Sequence, residues 1–236
     1  MARTQHRRKE KRSFVAFLDI LGTEEMVRND QFCDLQSLDF VNPVCIVARY
    51  NPTFRFAVFS DSVIVSSTTD YANEFVSVLS FLYSQWFADH ILVRGAISVG
   101  EIRWIDQPDI DGLFRGLPNL AYARVYGKAL IEAHRLEQRS GPGAICFVDE
   151  KASGLLRAAN KNYVLLGQSD ALIWTDTQHL EYWCKVSKFY LDRQKIGTEA
   201  RRHMRATAEY FRRAKESKKV VPDEFLYATL TSKKER

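Results

Sequence analysis

From Ser13 the chain turns apolar. Ser13-Phe14-Val15-Ala16-Phe17-Leu18-Asp19-Ile20 has strand length and is hydrophobic at nearly every position. That pattern predicts a strand covered on both faces. Gly22-Thr23-Glu24-Glu25 follows: a turn glycine, a capping residue and then acids in the first turn, which predict a helix start. Residues 35–49 predict a second helical stretch, interrupted near Asn42-Pro43. Phe54–Phe59 and Val63–Ser66 are strand-like runs flanking the polar triplet Ser60-Asp61-Ser62, the pattern of a β-hairpin. Over residues 70–88, Tyr71, Phe75, Val78, Leu79, Leu82 and Trp86 recur at helical spacing, with Asp70 at the N-cap position. Ile91–Gly100 predicts another buried strand, 103–118 a loop and 119–139 a helix. The Gly141-Pro142-Gly143 turn leads to a strand at 144–148 and a short helix after Asp149. A further strand is expected near 162–166, and residues 178–218 are mainly helical in pattern.

The order β-α-(α)-β-β-α-β places the chain in the α+β class. It predicts a ferredoxin-like split βαβ arrangement, an antiparallel sheet backed by helices. The chain divides into a flexible basic arm (1–12), one α+β domain (13–177) and a helical, basic C-terminal extension (178–236).

Composition narrows the class. Hydrophobic residues make up 46% and charged residues 27% of the 236 positions, the balance of a soluble globular protein. No apolar run reaches the roughly 18 residues of a membrane helix. The basic N-terminus is not followed by the long apolar core of a signal peptide. Four scattered cysteines without a C-x-x-C pair fit a reducing cytoplasm and argue against a zinc site. The net charge of +5 invites a nucleic-acid reading, yet its placement opposes one. Residues 1–13 carry +5 and 201–236 carry +6, while 14–200 carry −6. The body is acidic and only the ends are basic, so a specific nucleic-acid partner is not expected.

Two acids in that body stand out. Asp19 lies inside the apolar run FVAFLDILG, and Asp61 lies at the tip of the hairpin FAVFSDSVIVS. In a βαββαβ sheet the first strand and the hairpin are neighbours, so the two carboxylates are expected side by side. An acid in an apolar strand is costly unless it is paired or bound to a metal. Adjacent carboxylates repel unless a divalent cation offsets them. Hard oxygen ligands suit Mg²⁺ or Mn²⁺. Two such ions per site activate a hydroxyl and hold a triphosphate during in-line displacement. The helix beginning at Gly22 offers N–H groups for phosphate oxygens.

These residues resemble the class III nucleotidyl cyclases. FLDILG is similar to their first metal motif and FSDSVIV to their second. VRGAISVGEI resembles their R-x-G-I-x-x-G strand, and VYGKALIEAHRLE their dimer-facing helix. Together the four cover residues 14–139 in the family's order, which makes 13–177 the nucleotidyl cyclase catalytic domain. The wording is most similar to the pyrimidine cyclases of bacterial Pycsar anti-phage systems. The resemblance implies conversion of UTP or CTP to the 3′,5′-cyclic monophosphate and pyrophosphate. It also implies a homodimer with shared active sites, and a separate effector protein activated by the cyclic product. Position by position, Asp19 and Asp61 match the metal ligands, with the Ile20 carbonyl as a third. Gly22 and Thr23 match the phosphate-binding turn. Arg135, eight residues after Gly127, matches the arginine that stabilises the reacting phosphate from the partner subunit.

Three positions depart from the family. The ribose-orienting asparagine is replaced by Ile131, and the two purine readers are replaced by Arg124 and Arg55. Arginine only donates hydrogen bonds, which suits the acceptors O2 and O4 of uracil or O2 and N3 of cytosine. Tyr50, before the hairpin, would narrow the pocket to a one-ring base. UTP is the favoured substrate, because uracil O4 accepts where cytosine N4 donates; CTP stays open. So does a catalytically silent homologue that binds nucleotide without turning it over.

Overall fold

In the computed structural model, the structure describes residues 12–28, 34–105, 124–192 and 197–220. The expected basic arm therefore lies almost wholly outside the described residues, as do most of the 103–118 loop and the last residues of the chain. The strands are β1 (Ser13–Ile20), β2 (Arg55–Phe59), β3 (Ser62–Thr68), β4 (Val93–Gly100), β5 (Arg103–Ile105), β6 (Arg124–Tyr126), β7 (Cys146–Val148), β8 (Val164–Leu165) and β9 (Asp170–Leu172). The helices are α1 (Thr23–Arg28), α2 (Asp34–Tyr50), α3 (Ala72–Ala88), α4 (Lys128–Arg139), α5 (Glu150–Ala159), α6 (Thr177–Asp192) and α7 (Thr198–Ser217).

One sheet runs in the order β2-β3-β1-β4-β7-β9-β8. Each of its first four strands is antiparallel to its neighbours among them, with β1 between β3 and β4. That is the ferredoxin-like order expected from the element sequence. β7 joins β4 in parallel, and β9 and β8 extend the edge antiparallel.

Alternation along β1 decides where Asp19 points. Phe14, Ala16, Leu18 and Ile20 face the main core, where α2 and α3 pack. Val15 and Phe17 face the other side, a smaller cluster with Ile64 and Ala129 beneath α4. Since side chains alternate with period two, Asp19 shares the α4 face. α4 settles closely on this face because its buried positions Ala129 and Ala133 are small. Its third buried position, one turn on, is Glu137.

The main core is aromatic. Trp86 of α3 stacks on Phe40 of α2 and donates from Nε1 to the Phe40 carbonyl at 2.9 Å. Trp174, Trp183, Tyr210 and Phe211 extend the same cluster, so α6 and α7 pack on the core of the sheet. The Tyr210 hydroxyl donates to the Leu172 carbonyl and accepts from the Trp174 N–H, tying α7 to the strand edge.

Several local expectations change. α2 is continuous through Pro43. The missing N–H would have served the carbonyl of Asp39, an exposed residue that water can reach. Asp70 does not cap α3. It lies in a 3₁₀ turn (Thr69–Tyr71), and the N-cap position belongs to Tyr71. Part of the expected helix at 119–139 is strand, because Arg124–Tyr126 pairs with Arg103–Ile105; residues 119–123 lie outside the described residues. Gly127 separates that ribbon from α4 at φ 153°. A Cβ there would lie 2.4 Å from the Glu101 carbonyl oxygen and 2.7 Å from the Ile102 Cα, so only glycine makes this junction. β9 carries no alternation signal in its three residues, Asp170–Leu172. No helix among the described residues is long and apolar enough to cross a membrane.

Candidate functional site

Asp19 is the penultimate residue of β1, opposite Ser62 of β3 on one side and Arg94 of β4 on the other. The β2–β3 hairpin turns through Ser60 and Asp61, with Ser60 in the left-handed region at φ 50°. The Ile20 N–H donates to the Asp61 carbonyl at 3.0 Å, which pins the hairpin tip to the end of β1. The two aspartates thereby meet at the rim of one cleft. The Ser62 hydroxyl donates to Asp19 Oδ1 at 2.5 Å. After β1, Leu21 and Gly22 turn the chain, with Gly22 in the left-handed region at φ 85°. The Thr23 hydroxyl reaches back to the Ile20 carbonyl at 3.2 Å.

The cleft encloses about 440 Å³. Asp19, Ile20, Asp61, Gly22, Thr23 and Glu24 line it. Arg94 lines it as well, held by Glu137 of α4 at 2.6 Å from Nε and 2.5 Å from Nη2. Glu137 is buried, at 3% side-chain exposure against 20% for Arg94. A buried carboxylate calls for a charged partner, which Arg94 supplies. The sequence pattern calls for an acidic partner to Arg94, and Glu137 is that partner.

Burial raises the pKa of the Asp19 carboxyl above its usual value. The Ser62 hydrogen bond works against that rise, the charges of Asp61 and Glu137 add to it, and Arg94 opposes it. The sign is therefore fixed. A carboxyl whose folded pKa is raised favours the fold while protonated, and this contribution is lost as pH rises through the carboxylate range. Once ionised, and without divalent ions beside it, Asp19 opposes folding. Asp19→Asn is expected to raise the melting temperature of the metal-free protein at pH 7 and to give no gain at pH 3.5. Thermal unfolding at the two pH values, with chelator present, measures this.

The donor set suits a hard cation. Two carboxylates and the Ile20 carbonyl are oxygen ligands, and that carbonyl keeps a second lone pair beside its bond to Thr23. Among the described residues no group of three or more His, Cys, Asp or Glu side chains could hold a metal. This excludes a closed all-side-chain cage there. Mg²⁺ and Mn²⁺ take oxygen donors of this kind and complete their shells with water and substrate phosphate.

The remaining sequence-selected residues lie elsewhere in the chain. Arg55 is opposite Ser66, four residues from Ser62 and so about 13 Å along the strand. Its guanidinium lies 5.2 Å from the centre of the Trp104 ring. Tyr50 ends α2 and is 39% exposed. Arg124 sits in β6, opposite Ile105. Arg135 is on the outer side of α4, exposed and 3.4 Å from Glu132. Ile131 is 51% exposed on the same helix. Of these, Arg55, Tyr50, Arg135 and Ile131 do not line the cleft of Asp19 and Asp61 within one chain.

Sequence reasoning gave no site role to Glu137, Ser62, Glu199, Arg202 or His203. The signal for Glu137 was present, since it continues the i, i+4, i+8 row of Ala129 and Ala133. Glu199, Arg202 and His203 line the cleft from α7, and no local pattern links them to Asp19.

No family model and no curated protein matches the chain. Among solved structures it is similar to the adenylyl cyclase CyaB from P. aeruginosa, at 15% identity over 69% of this chain and 92% of that one, with TM-score 0.44. It is also similar to the catalytic core of a rhodopsin-guanylyl cyclase with converted specificity in complex with ATPalphaS, at 11% identity over 69% and 95%, with TM-score 0.49. A class III adenylyl cyclase-like ATP-binding protein from Pseudomonas aeruginosa is similar at 10% identity over 62% and 35%, with TM-score 0.41. At such identities only the residues of the cleft bear on function.

Proposed function

We propose that this protein is a metal-dependent nucleotidyl cyclase that converts UTP to 3′,5′-cyclic UMP and pyrophosphate, with CTP as the alternative substrate. One observation carries the reading. Asp19 and Asp61 are distant in sequence, and both line one cleft together with the Gly22-Thr23 turn. Asp19, Asp61 and the Ile20 carbonyl would hold two divalent ions, Mn²⁺ or Mg²⁺. Bound there, the ions supply charge neutralisation for the triphosphate and lower the pKa of the attacking hydroxyl.

The chain's own residues do the rest. Gly22 and Thr23 seat the phosphates at the start of α1. Ser62 holds Asp19 in orientation through its hydrogen bond. The ribose 3′-oxygen attacks the α-phosphorus and gives its proton to solvent. The bond from that phosphorus to the bridging oxygen breaks, and pyrophosphate leaves. Arg135 is exposed on α4 and outside the cleft of its own chain. In a homodimer with shared sites it stabilises the reacting phosphate of the partner subunit's cleft. Tyr50, Arg55 and Arg124 read the base across the same interface, with the Arg55 guanidinium steadied over Trp104. The cyclic product then serves as a second messenger for a separate effector in anti-phage (Pycsar-type) defence.

A second reading is favoured by Ile131. The position of the ribose-orienting asparagine carries an exposed apolar side chain, which suits a domain that binds nucleotide without turnover. One experiment separates these readings: incubation of the full chain with each of the four nucleoside triphosphates and Mn²⁺, with products identified by mass. Cyclic UMP is expected, and cyclic CMP selects the alternative pyrimidine. Cyclic AMP or cyclic GMP as the main product overturns the pyrimidine assignment. Tight nucleotide binding without pyrophosphate release selects the silent homologue.

A further inference from the structure

Part of the cleft's lining comes from far along the chain. Glu199, Arg202 and His203 lie in the first turns of α7 and line the same cleft as Asp19 and Asp61. α7 is fastened where it does so. The Gly143 N–H donates to His203 Nδ1 at 3.0 Å, and the Ala144 N–H donates to the Thr207 hydroxyl at 2.8 Å. Thr207, Tyr210, Phe211 and Ala214 bury the rest of the helix. The backbone that carries Arg202 is thus fixed relative to the cleft.

The bond from Gly143 also fixes the tautomer. Nδ1 accepts, so the neutral ring carries its proton on Nε2, which lies 3.3 Å from Glu199 Oε1. Arg202 Nη1 lies 2.9 Å from the same oxygen. Glu199 therefore has two partners and keeps one if Arg202 leaves.

The two arginines that line the cleft differ in kind. Arg94 is clamped by the buried Glu137. Arg202 pairs with a carboxylate that is 55% exposed, and is itself 62% exposed. Such a pair is weak and exchanges readily for a stronger anion. A triphosphate is that anion, because phosphate oxygens accept charge-assisted hydrogen bonds from guanidinium in a paired geometry. The cleft needs the added charge. Asp19, Glu24, Asp61 and Glu199 line it against Arg94 and Arg202, so it opposes a polyanion until cations enter.

We infer that Arg202, supplied by the C-terminal helix of the same subunit, binds the terminal phosphates of the triphosphate. The inference rests on reading the cleft as a triphosphate site. On binding, Arg202 leaves Glu199 for the phosphate oxygens, and His203 Nε2–H keeps Glu199 paired. The C-terminal segment is then part of the site, where it holds the leaving pyrophosphate.

The test is calorimetric binding of inorganic triphosphate, in the presence of Mn²⁺, to the full chain and its variants. Wild type is expected to bind. Arg202→Ala is expected to bind about tenfold more weakly and Arg202→Lys to fall between, as expected for losing or weakening one charge-assisted contact. Glu199→Gln, which removes the competing carboxylate, is expected to bind as tightly as wild type or more so. Three results would each overturn the inference: wild type that does not bind, Arg202→Ala that binds like wild type, or Glu199→Gln weakened as much as Arg202→Ala. The last would mean that the helix had merely shifted. Turnover is scored separately. Wild type that binds inorganic triphosphate through Arg202 yet releases no pyrophosphate from any nucleoside triphosphate refutes the cyclase reading and leaves the role of Arg202 standing.

Discussion

Asp61→Asn is expected to cut cyclic nucleotide formation, with kcat/KM falling by about a thousandfold or more. The substitution keeps the side chain's size and alters only its charge and donor pattern. Asp61 is half-buried at a hairpin tip whose geometry depends on its backbone carbonyl, bonded to the Ile20 N–H at 3.0 Å. The fold is therefore expected to survive, and the melting temperature in chelator is expected not to fall, since the Asp61 charge repels Asp19. What disappears is one of two carboxylates that offset the charge of the ions. A second readout separates this from a folding defect. Mn²⁺ is expected to raise the melting temperature of the wild type by mass action on the folded state, and this rise is expected to vanish in Asp61→Asn. A variant that retains both turnover and the Mn²⁺-induced rise would remove Asp61 from the site.

The largest effect on stability is expected at Glu137. Glu137→Ala leaves Arg94 without its carboxylate in a position where only 20% of its side chain meets solvent. Breaking a buried pair from one side costs about 3 kcal/mol. Urea unfolding should show the loss as a lower midpoint with an unchanged slope. Replacing both partners with apolar residues, Arg94→Met with Glu137→Leu, is expected to recover much of that stability, since no unpaired charge remains buried. The double variant should still fail to turn over substrate, because Arg94 lines the cleft. A double-mutant cycle with no coupling between the two positions would refute the pairing.

Part of the candidate site is legible in the amino-acid sequence. Asp19 stands out because a charge within FVAFLDI contradicts its surroundings, and Asp61 because strand-like runs flank it on both sides. Both signals are local. Arg94 is legible as an arginine needing an acid, but which acid is not. Glu137 is far along the chain, and it faces Arg94 only because Ala129 and Ala133 let α4 lie close on the sheet. The misreadings share a cause. The β5–β6 ribbon and β9 are three-residue strands, too short to show a period, and their pairing comes from partners elsewhere in the chain. The expected break at Pro43 gave way because the orphaned carbonyl belongs to an exposed residue.

The sequence by itself determined the α+β class, the order of the first four strands and the two acids placed against their apolar surroundings. These follow from alternation and side-chain polarity, which act over a few residues and are written in the chain. Tertiary structure decided the rest. It turned Asp19 to the α4 face, set Arg94 against Glu137 and brought Arg202 and His203 into the cleft that Asp61 lines. The C-terminal helix, whose basic residues first suggested only a charged end, reaches the cleft because Tyr210 and Phe211 bury themselves beside Trp174. Packing of apolar faces far apart in sequence placed those polar groups, and no local pattern encodes it.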